Sequence, residues 1–573
     1  MKITTTRKIS QVFFFALFIW LCIVMSVGEK FFQLRGWSVN IFLHLDPLAA
    51  ISTTLSTHRL YAPLLWSVLT IILTILIGRF FCGWVCPFGS LHQFISHLSH
   101  RNKKPLDLVS LHKYRKSQNI KYYILIIFLI AAALPQLQNL QIGPLDPIPL
   151  FTRTVNLLLL PVVDNSVNLL SATDRYFRTA PLILTVFLVF VLLNFVIPRF
   201  FCLHICPLGA LFGLLNRFAL WRITRNSNCT DCKLCNAHCQ GSCQPSEMLK
   251  QSECILCLNC LDDCKFNAID FNTVSSDTVQ VSPDLSRRGF LAAVFTGLLA
   301  MPAFKLLAAA KDSDGIVRPP GALSENEFIK RCLKCGQCMR ICPTNVIQPA
   351  GIEHGIINLW TPVMNNRIGS SGCQLDCVAC GYMCPTAAIR PITLAEKLGK
   401  GNFEGKGLIK LGTAFVDRAR CLPWAFNTPC IVCQENCPVS PKAIYTRIIF
   451  ANVSDTLRIK NVQDNKIQIE EDNLSPQKFS TGDYYCQFSS AGKTAPAKII
   501  SNTADTIQIS PDSSLTMSQV TAEIQIQIRL QQPFIDPALC IGCGICQHEC
   551  PVSGIGAVFV TPLGQTREKS LYF

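Results

Sequence analysis

The chain has 573 residues, of which 50% are hydrophobic and only 15% charged, with 31 cysteines and a formal net charge of +16. A charged fraction well under the soluble norm of about 25%, together with a mean hydropathy of +0.33, argues against an ordinary cytosolic protein and points to membrane segments. Length excludes a small disulfide scaffold, composition excludes disorder and collagen, and the separation of cysteines from apolar stretches excludes a simple transporter.

Four apolar runs fill the first 200 residues: Gln11–Gly28, Pro63–Phe81, Tyr122–Leu134 with its Gln-containing extension, and Pro181–Pro198. Each approaches the ~20 residues that cross a bilayer. Phe151–Val163 is shorter and reads as interfacial or packed against the bundle. A fifth run, Phe290–Ala310, is interrupted by Pro302 and Lys305. Lys and Arg crowd the N-terminus, the loop from Arg101 to Lys121, and the segment holding Arg199, Arg217, Arg222 and Arg225. By the positive-inside rule these stretches are cytoplasmic. Much of the basic excess is therefore a topology label, and nucleic acid is not expected as a partner. The fifth run opens with Ser286-Arg287-Arg288-Gly289-Phe290-Leu291 and ends in Ala308-Ala309-Ala310. This reads as an internal twin-arginine export signal in preference to a plain anchor, and it puts everything after Lys311 outside the cytoplasm.

The membrane part is duplicated. Leu45-Asp46-Pro47-Leu48, a span, and Arg79-Phe80-Phe81-Cys82-x3-Cys86-Pro87-x-Gly89 recur as Leu145-Asp146-Pro147-Ile148, a span, and Arg199-Phe200-Phe201-Cys202-x3-Cys206-Pro207-x-Gly209. Four thiols from two related elements can hold one shared cluster, act as a redox dithiol, or contact a redox partner. Asp46 and Asp146, expected near the outer face, read first as helix N-caps before Pro. With His204 they are also the candidate quinol or proton residues.

Beyond the fourth span the cysteines fall into ferredoxin spacing. Cys229, Cys232, Cys235 and Cys239 precede Cys254, Cys257, Cys260 and Cys264. In this arrangement the fourth cysteine of each run ligates the cluster of the other. Pro is missing after Cys239 and Cys264, and Cys243 is surplus; spacing favours Cys239 as the ligand. Four more sets follow: Cys332, Cys335, Cys338 and Cys342; Cys373, Cys377, Cys380 and Cys384; Cys421, Cys430, Cys433 and Cys437; Cys540, Cys543, Cys546 and Cys550. Twenty-four thiols in fours imply iron held in six 4Fe–4S clusters, whereas zinc sites use sparser paired knuckles. Whether the four exported runs pair in sequence or nested is open. Cys22 and Cys486 belong to no run. Alternating Ile pairs across 448–530 read as a β-rich insertion, a docking surface or a small barrel.

The expected architecture is a multidomain membrane protein with an α-helical transmembrane bundle. Four helices and a fifth anchor or signal helix carry α+β ferredoxin-like 4Fe–4S domains on both sides. Its parts are a membrane domain at 1–220, a cytoplasmic two-cluster ferredoxin at 221–280 and the signal segment at 281–311. A periplasmic four-cluster ferredoxin at 312–447 and 531–573 and the insertion at 448–530 complete it. Two clusters inside and four outside leave ~30 Å of hydrocarbon between them. A quinol, a partner's haem or another position for the paired cysteines has to bridge it.

The N-terminal half resembles the NapH-type membrane ferredoxins of periplasmic nitrate reduction, related to the methylamine-utilisation membrane ferredoxins. The resemblance rests on the spans, Cys82, Cys86, Cys202 and Cys206, and the Cys229–Cys264 runs. From Ser286 onward the chain resembles the NapG-type exported four-cluster ferredoxins. The departures are the fusion, the missing prolines and the β insertion. The resemblance implies a membrane-bound electron carrier of the bacterial inner membrane. It would oxidise quinol from the membrane pool and pass electrons to a periplasmic redox enzyme or cytochrome, as a subunit of a larger complex. Two other readings stay open: maturation of a partner's metal centre, and conduction from a cytoplasmic donor.

Overall fold

A computed structural model of the chain describes residues 2–25, 39–133, 143–167, 174–247, 249–273, 287–296, 315–471, 473–490, 493–511 and 523–567. The chain divides into two compact units: Met1–Ser370 with Asp376–Ile409 and Thr566–Phe573, and Ser371–Leu375 with Lys410–Gln565.

The first unit is built on a duplicated helical framework. Each copy opens with an apolar helix, Ile3–Val24 or Ile120–Ala133. An Asp-Pro step then starts a second helix, Pro47–Thr57 or Pro147–Thr154. The carboxylate satisfies otherwise orphaned N–H groups, and Pro arrives with a helical φ already fixed. Asp46 Oδ1 accepts from the N–H of Leu48 at 2.9 Å, and Asp146 Oδ1 accepts from that of Ile148 at 3.3 Å. Next come the apolar helices Ser67–Ile77 and Ala180–Leu192, then single π-type turns at Phe81–Val85 and Phe201–Ile205. The helices Pro87–His100 and Pro207–Leu215 close the copies.

Ile3–Val24 is long and apolar enough to cross a membrane, while Ala62–Ile77 and Ala180–Phe195 are shorter apolar helices. The apolar runs overstate these two elements for a local reason. Gly78, at φ +107°, ends the first, and the second runs into a 3₁₀ turn at Leu193–Phe195 before Pro198. Outward faces of these helices expose Val12, Phe13, Trp66, Ile72, Val189 and Phe195. The first half of the Phe151–Val163 stretch packs into the bundle, since 146–157 is buried throughout, while Leu159, Val162 and Val163 are exposed. Phe151 stacks on Phe18 and Phe88 with ring centroids 5.1 and 5.5 Å away. Leu134 and most of the 281–311 segment, including Ser286 and 297–310, lie outside the described residues; 287–296 is helical.

Both flanking parts of the first unit dock on this framework. The strands Trp221–Arg225 and Ile269–Thr273 pair antiparallel and close an inner ferredoxin-like lobe. It is seated by Arg79 Nη1 donating to the Ser252 carbonyl at 2.7 Å and Trp84 Nε1 donating to that of Leu256 at 2.9 Å. The outer lobe carries a ribbon of Ile347–Pro349 and Pro362–Met364. Here Arg153 Nη1 donates to the Lys334 carbonyl at 3.1 Å, and its guanidinium lies 4.0 Å from the Trp360 ring centre. Asn40 Nδ2 donates to the Met383 carbonyl at 3.1 Å. The helix Ile3–Val24 spans the two lobes. Arg7 Nη1 donates to the Cys257 carbonyl at 2.8 Å, and Cys22 lies in electrostatic range of Arg340. From Arg7 to Cys22 the helix rises ~22 Å.

In the second unit Thr413–Val416 pairs with Val558–Thr561. The β-rich segment is a small barrel. Leu457–Gln463, Lys466–Ile469, Thr506–Ile509, Lys493–Asn502, Tyr484–Ser490 and Glu523–Ile535 pair in that order, and the last closes back on the first. Ile444–Asn452 runs along the other half of Glu523–Ile535, so the strands extend past 448–530 at both ends. The inward positions of the Ile alternation, among them Ile467, Ile507 and Ile526, fill its core with Phe488 and Cys486. Burial pushes the Cys486 thiol up to about 12, as for a packed, unreactive side chain.

Candidate functional site

The thiols gather as spacing alone could not fix. In the inner lobe Cys239 lies in electrostatic range of Cys254, Cys257 and Cys260. The fourth cysteine of the first run thus joins the second set. Cys229 and Cys232 accompany Cys235, and Cys264 packs against the same core. The surplus Cys243 is here too: its Sγ is 3.3 Å from Cys239 Sγ, and its N–H donates to that sulfur at 3.2 Å. The Cys243 thiol holds Cys239 below the ordinary thiol range, and the same bond raises Cys243.

In the outer lobe Cys332, Cys335 and Cys338 share their surroundings with Cys384, and Cys342 with Cys377. In the second unit Cys421, Cys430 and Cys433 meet Cys550. Cys437 lines one enclosed space with Cys540, Cys543 and Cys546. Cys373 belongs to this unit, where its N–H donates to the Cys543 carbonyl at 2.7 Å. Pairing in these lobes is therefore sequential, first run with second and third with fourth. Cys380 faces Cys338, its Sγ directed at the Pro320 carbonyl at 3.9 Å. Among the described residues no three His, Cys, Asp or Glu side chains are drawn together as a site for a single metal ion. The donor chemistry, all thiol, in fours and largely buried, fits iron–sulfur clusters.

The paired Cys-x3-Cys turns converge. Cys82, Cys86, Cys202 and Cys206 line one small cavity with Arg79, Arg199, Pro147 and Ile255. Cys86 and Cys206 cap the following helices, each Sγ accepting the N–H of Gly89 or Gly209 at 3.3 and 3.2 Å. The arginines cross over. Arg199 Nη2 donates to the Cys82 carbonyl at 3.2 Å, and a Cβ on Gly209 would meet Arg79 Nη2 at 3.1 Å. Sequence reading noted the repeated arginines without seeing this exchange.

Asp46 and Asp146 cap their helices and also face each other, both fully buried. Pro147, next to Asp146, lines the thiol cavity itself. His204 stacks on Phe200 at 4.9 Å and its Nδ1 lies 3.3 Å from the Phe200 carbonyl. It is not among the residues lining the thiol cavity. A larger cleft of about 910 Å³ opens beside the inner lobe. Val12, Phe15, Leu91 and Phe94 make its apolar wall, and His97, His100, Gln240 and Arg199 its polar end. His100 Nδ1 lies 3.0 Å from the Ser96 carbonyl, while its Nε2 is buried without a partner. Sequence reading missed this cleft, as it missed Glu253. That carboxylate accepts from Lys121 Nζ and, at 2.8 Å, from Tyr122 Oη.

Comparison with known proteins agrees with this chemistry. A family described as a 4Fe-4S binding domain matches residues 60–105 and 179–226, and a second of the same description matches 330–348 and 533–555. The chain is 30% identical over 278 residues to an uncharacterized protein of Methanocaldococcus jannaschii, covering 47% of this chain and 96% of that one. It is 30% identical over 169 residues to the ferredoxin-type protein NapG of Escherichia coli, covering 28% of this chain and 67% of NapG. The methylamine utilization ferredoxin-type protein MauM of Methylorubrum extorquens is 32% identical over 164 residues, 28% of this chain and 68% of MauM. No solved structure matches.

Proposed function

Because the chain belongs to the ferredoxin-type 4Fe–4S proteins, an iron–sulfur electron-transfer family, we propose that it joins a NapH-type membrane half to a NapG-type exported half. In this reading it takes electrons from membrane quinol and delivers them to a periplasmic redox enzyme or cytochrome. The observation that carries the reading is the all-thiol sets seated at both ends of the Ile3–Val24 helix. Six 4Fe–4S clusters on the twenty-four run cysteines supply one-electron redox chemistry when bound. Cys380 joins the set of Cys342 and Cys377, and Cys264 that of Cys229, Cys232 and Cys235. The chain's own residues bury the thiols, orient them by backbone N–H groups, and keep the sets on opposite sides of a helical bundle. Exposed apolar faces and the positive-inside pattern support a bundle that spans the inner membrane, with the N-terminus cytoplasmic. The cleft suits a quinol: an apolar wall for an isoprenoid tail and imidazole groups for the head. Asp46, Asp146 and His204 are then less directly placed for quinol.

The test is anaerobic reduction of the purified full chain by a water-soluble quinol analogue. Bleaching of cluster absorbance is expected, suppressed by Ala16→Trp, which fills the cleft. Reduction by dithionite but never by quinol would refute the donor. A membrane-impermeant label in intact cells should reach a tag after Phe573; labelling only after lysis would refute the orientation. The exposed Cys232 favours one second reading, entry of electrons from a soluble cytoplasmic donor at the inner lobe.

A further inference from the structure

We propose that Cys82, Cys86, Cys202 and Cys206, two thiols from each repeat, hold one further iron–sulfur cluster that relays electrons between the inner and outer lobes. The proposal rests on the six-cluster reading above and adds a site within the bundle.

Three observations carry it. The first is convergence: all four thiols line the same cavity, and Cys86 and Cys206 are buried at helix N-termini. Their sulfurs accept the backbone N–H groups of Gly89 and Gly209, which fixes both thiols in place. The second is charge. Arg79 and Arg199 are 2% and 3% exposed, and among the described residues each keeps its Nε without a partner. Lys121 is buried beside them, and Glu253 is the carboxylate that opposes Arg79 and Lys121. Among the described residues Glu253 is the one carboxylate ion-paired with any of these three buried cations, an excess of positive charge that is costly beside neutral thiols. A cluster on four thiolates is net negative and balances it. The third is position. Ile255, between Cys254 and Cys257, lines the cavity, and a Cβ on Gly83 would stand 2.3 Å from the Ile255 carbonyl oxygen. On the other side Pro147 lines it, and from Pro147 the helix climbs ~9 Å to Arg153, which holds the Lys334 carbonyl next to Cys335. Cys86, Cys206, Leu333 and Cys335 belong to one buried core.

A redox dithiol would leave the arginines unexplained, and a partner contact would require exposure. The electron count is simple. If loaded, the sets of Cys239, Cys254, Cys257 and Cys260, of Cys82, Cys86, Cys202 and Cys206, and of Cys332, Cys335, Cys338 and Cys384 would pass one electron in that order, each set oxidised as the next is reduced. No proton or covalent bond is exchanged. The gap expected between inner and outer carriers is thereby filled by the chain itself.

The test uses the full chain, purified anaerobically in detergent, with iron, sulfide and zinc counted per chain. Wild type should hold iron beyond what six runs account for, by four irons for a cubane or two for a binuclear centre. Cys82→Ser with Cys202→Ser should lose that increment alone. Electron paramagnetic resonance should retain the ferredoxin signals, while electrons supplied at the inner lobe no longer reach the outer one. Cys202→Ser alone, keeping three thiols, should alter one signal in a chain that still folds. A wild-type count equal to six runs, or zinc in place of the increment, overturns the proposal and leaves the six-cluster reading standing. Iron well below six runs in wild type overturns that reading instead.

Discussion

Glu253→Gln should detach the inner lobe from the bundle. The carboxylate accepts from Lys121 Nζ and Tyr122 Oη and lies 4.0 Å from Arg79 Nη1, with side-chain exposures of 0% for Lys121 and 2% for Glu253. A unit pair at 4 Å is worth about 4 kcal/mol at an effective dielectric of about 20, and Lys121 is closer. The amide keeps shape and one acceptor but abandons two buried cations. Desolvation and the bond from Arg79 to the Ser252 carbonyl limit the loss, giving a net cost of about 3–5 kcal/mol. At 1.4 kcal/mol per decade, the undocked population rises ~10²–10⁴-fold. Hydrogen exchange across 249–257 in detergent reads this directly, as does protease nicking near 226. Pairing Glu253→Gln with Lys121→Met should recover part of the loss, since the second change removes a stranded charge. Exchange within tenfold of wild type in the single variant would refute the argument.

Cys239→Ala should cost one cluster's iron, because its sulfur faces Cys254, Cys257 and Cys260; Cys243→Ala should keep the iron and shift only that cluster's potential, read by redox titration. Burial pushes Glu325 up, but Arg318 and Arg567 outweigh it and its pKa is lowered. Its contribution is therefore present above the unfolded value of about 4.3 and lost as pH falls through the folded one. Glu325→Gln should flatten the acid limb of outer-lobe stability, at a cost of about 1–3 kcal/mol near neutrality, measured by thermal unfolding at stepped pH. Chelation of iron under anaerobic conditions should unfold the short ribbons at 347–364 and 413–416 while helix content persists, seen by circular dichroism.

The cysteine runs were legible because a cluster wraps local thiols, so spacing along the chain is itself the geometry. Exchange of the fourth ligand was legible for the inner lobe by the same logic, and Cys239 meets the second set. Sequential pairing of the outer runs was not, because Cys384 and Cys550 reach their sets through tertiary packing. The barrel's strands showed in the Ile alternation, while its closure depends on Glu523–Ile535 serving two neighbours on its opposite edges. Glu253 gave no signal, since its partners lie more than a hundred residues away. The Asp-Pro steps were readable as caps, but their mutual contact needs the two copies face to face.

Duplication also explains a position where the repeated strings differ in kind, Trp84 against His204. Arg79 and Arg199 each serve the other copy's turn, so neither copy alone completes the four-thiol cavity. A two-fold framework, however, can seat only one inner lobe. Trp84 in the first copy donates its indole N–H to the Leu256 carbonyl, a contact available on the side the lobe occupies. Its counterpart His204 faces no such backbone and stacks instead on Phe200, in electrostatic range of Lys121 and Glu253. The substitution of Trp by His is then a mark of docking asymmetry. His204→Phe should preserve the stack and the fold, with quinol-dependent reduction kept to within a few-fold. A large loss of quinol reduction with unchanged iron would return His204 to the list of proton carriers.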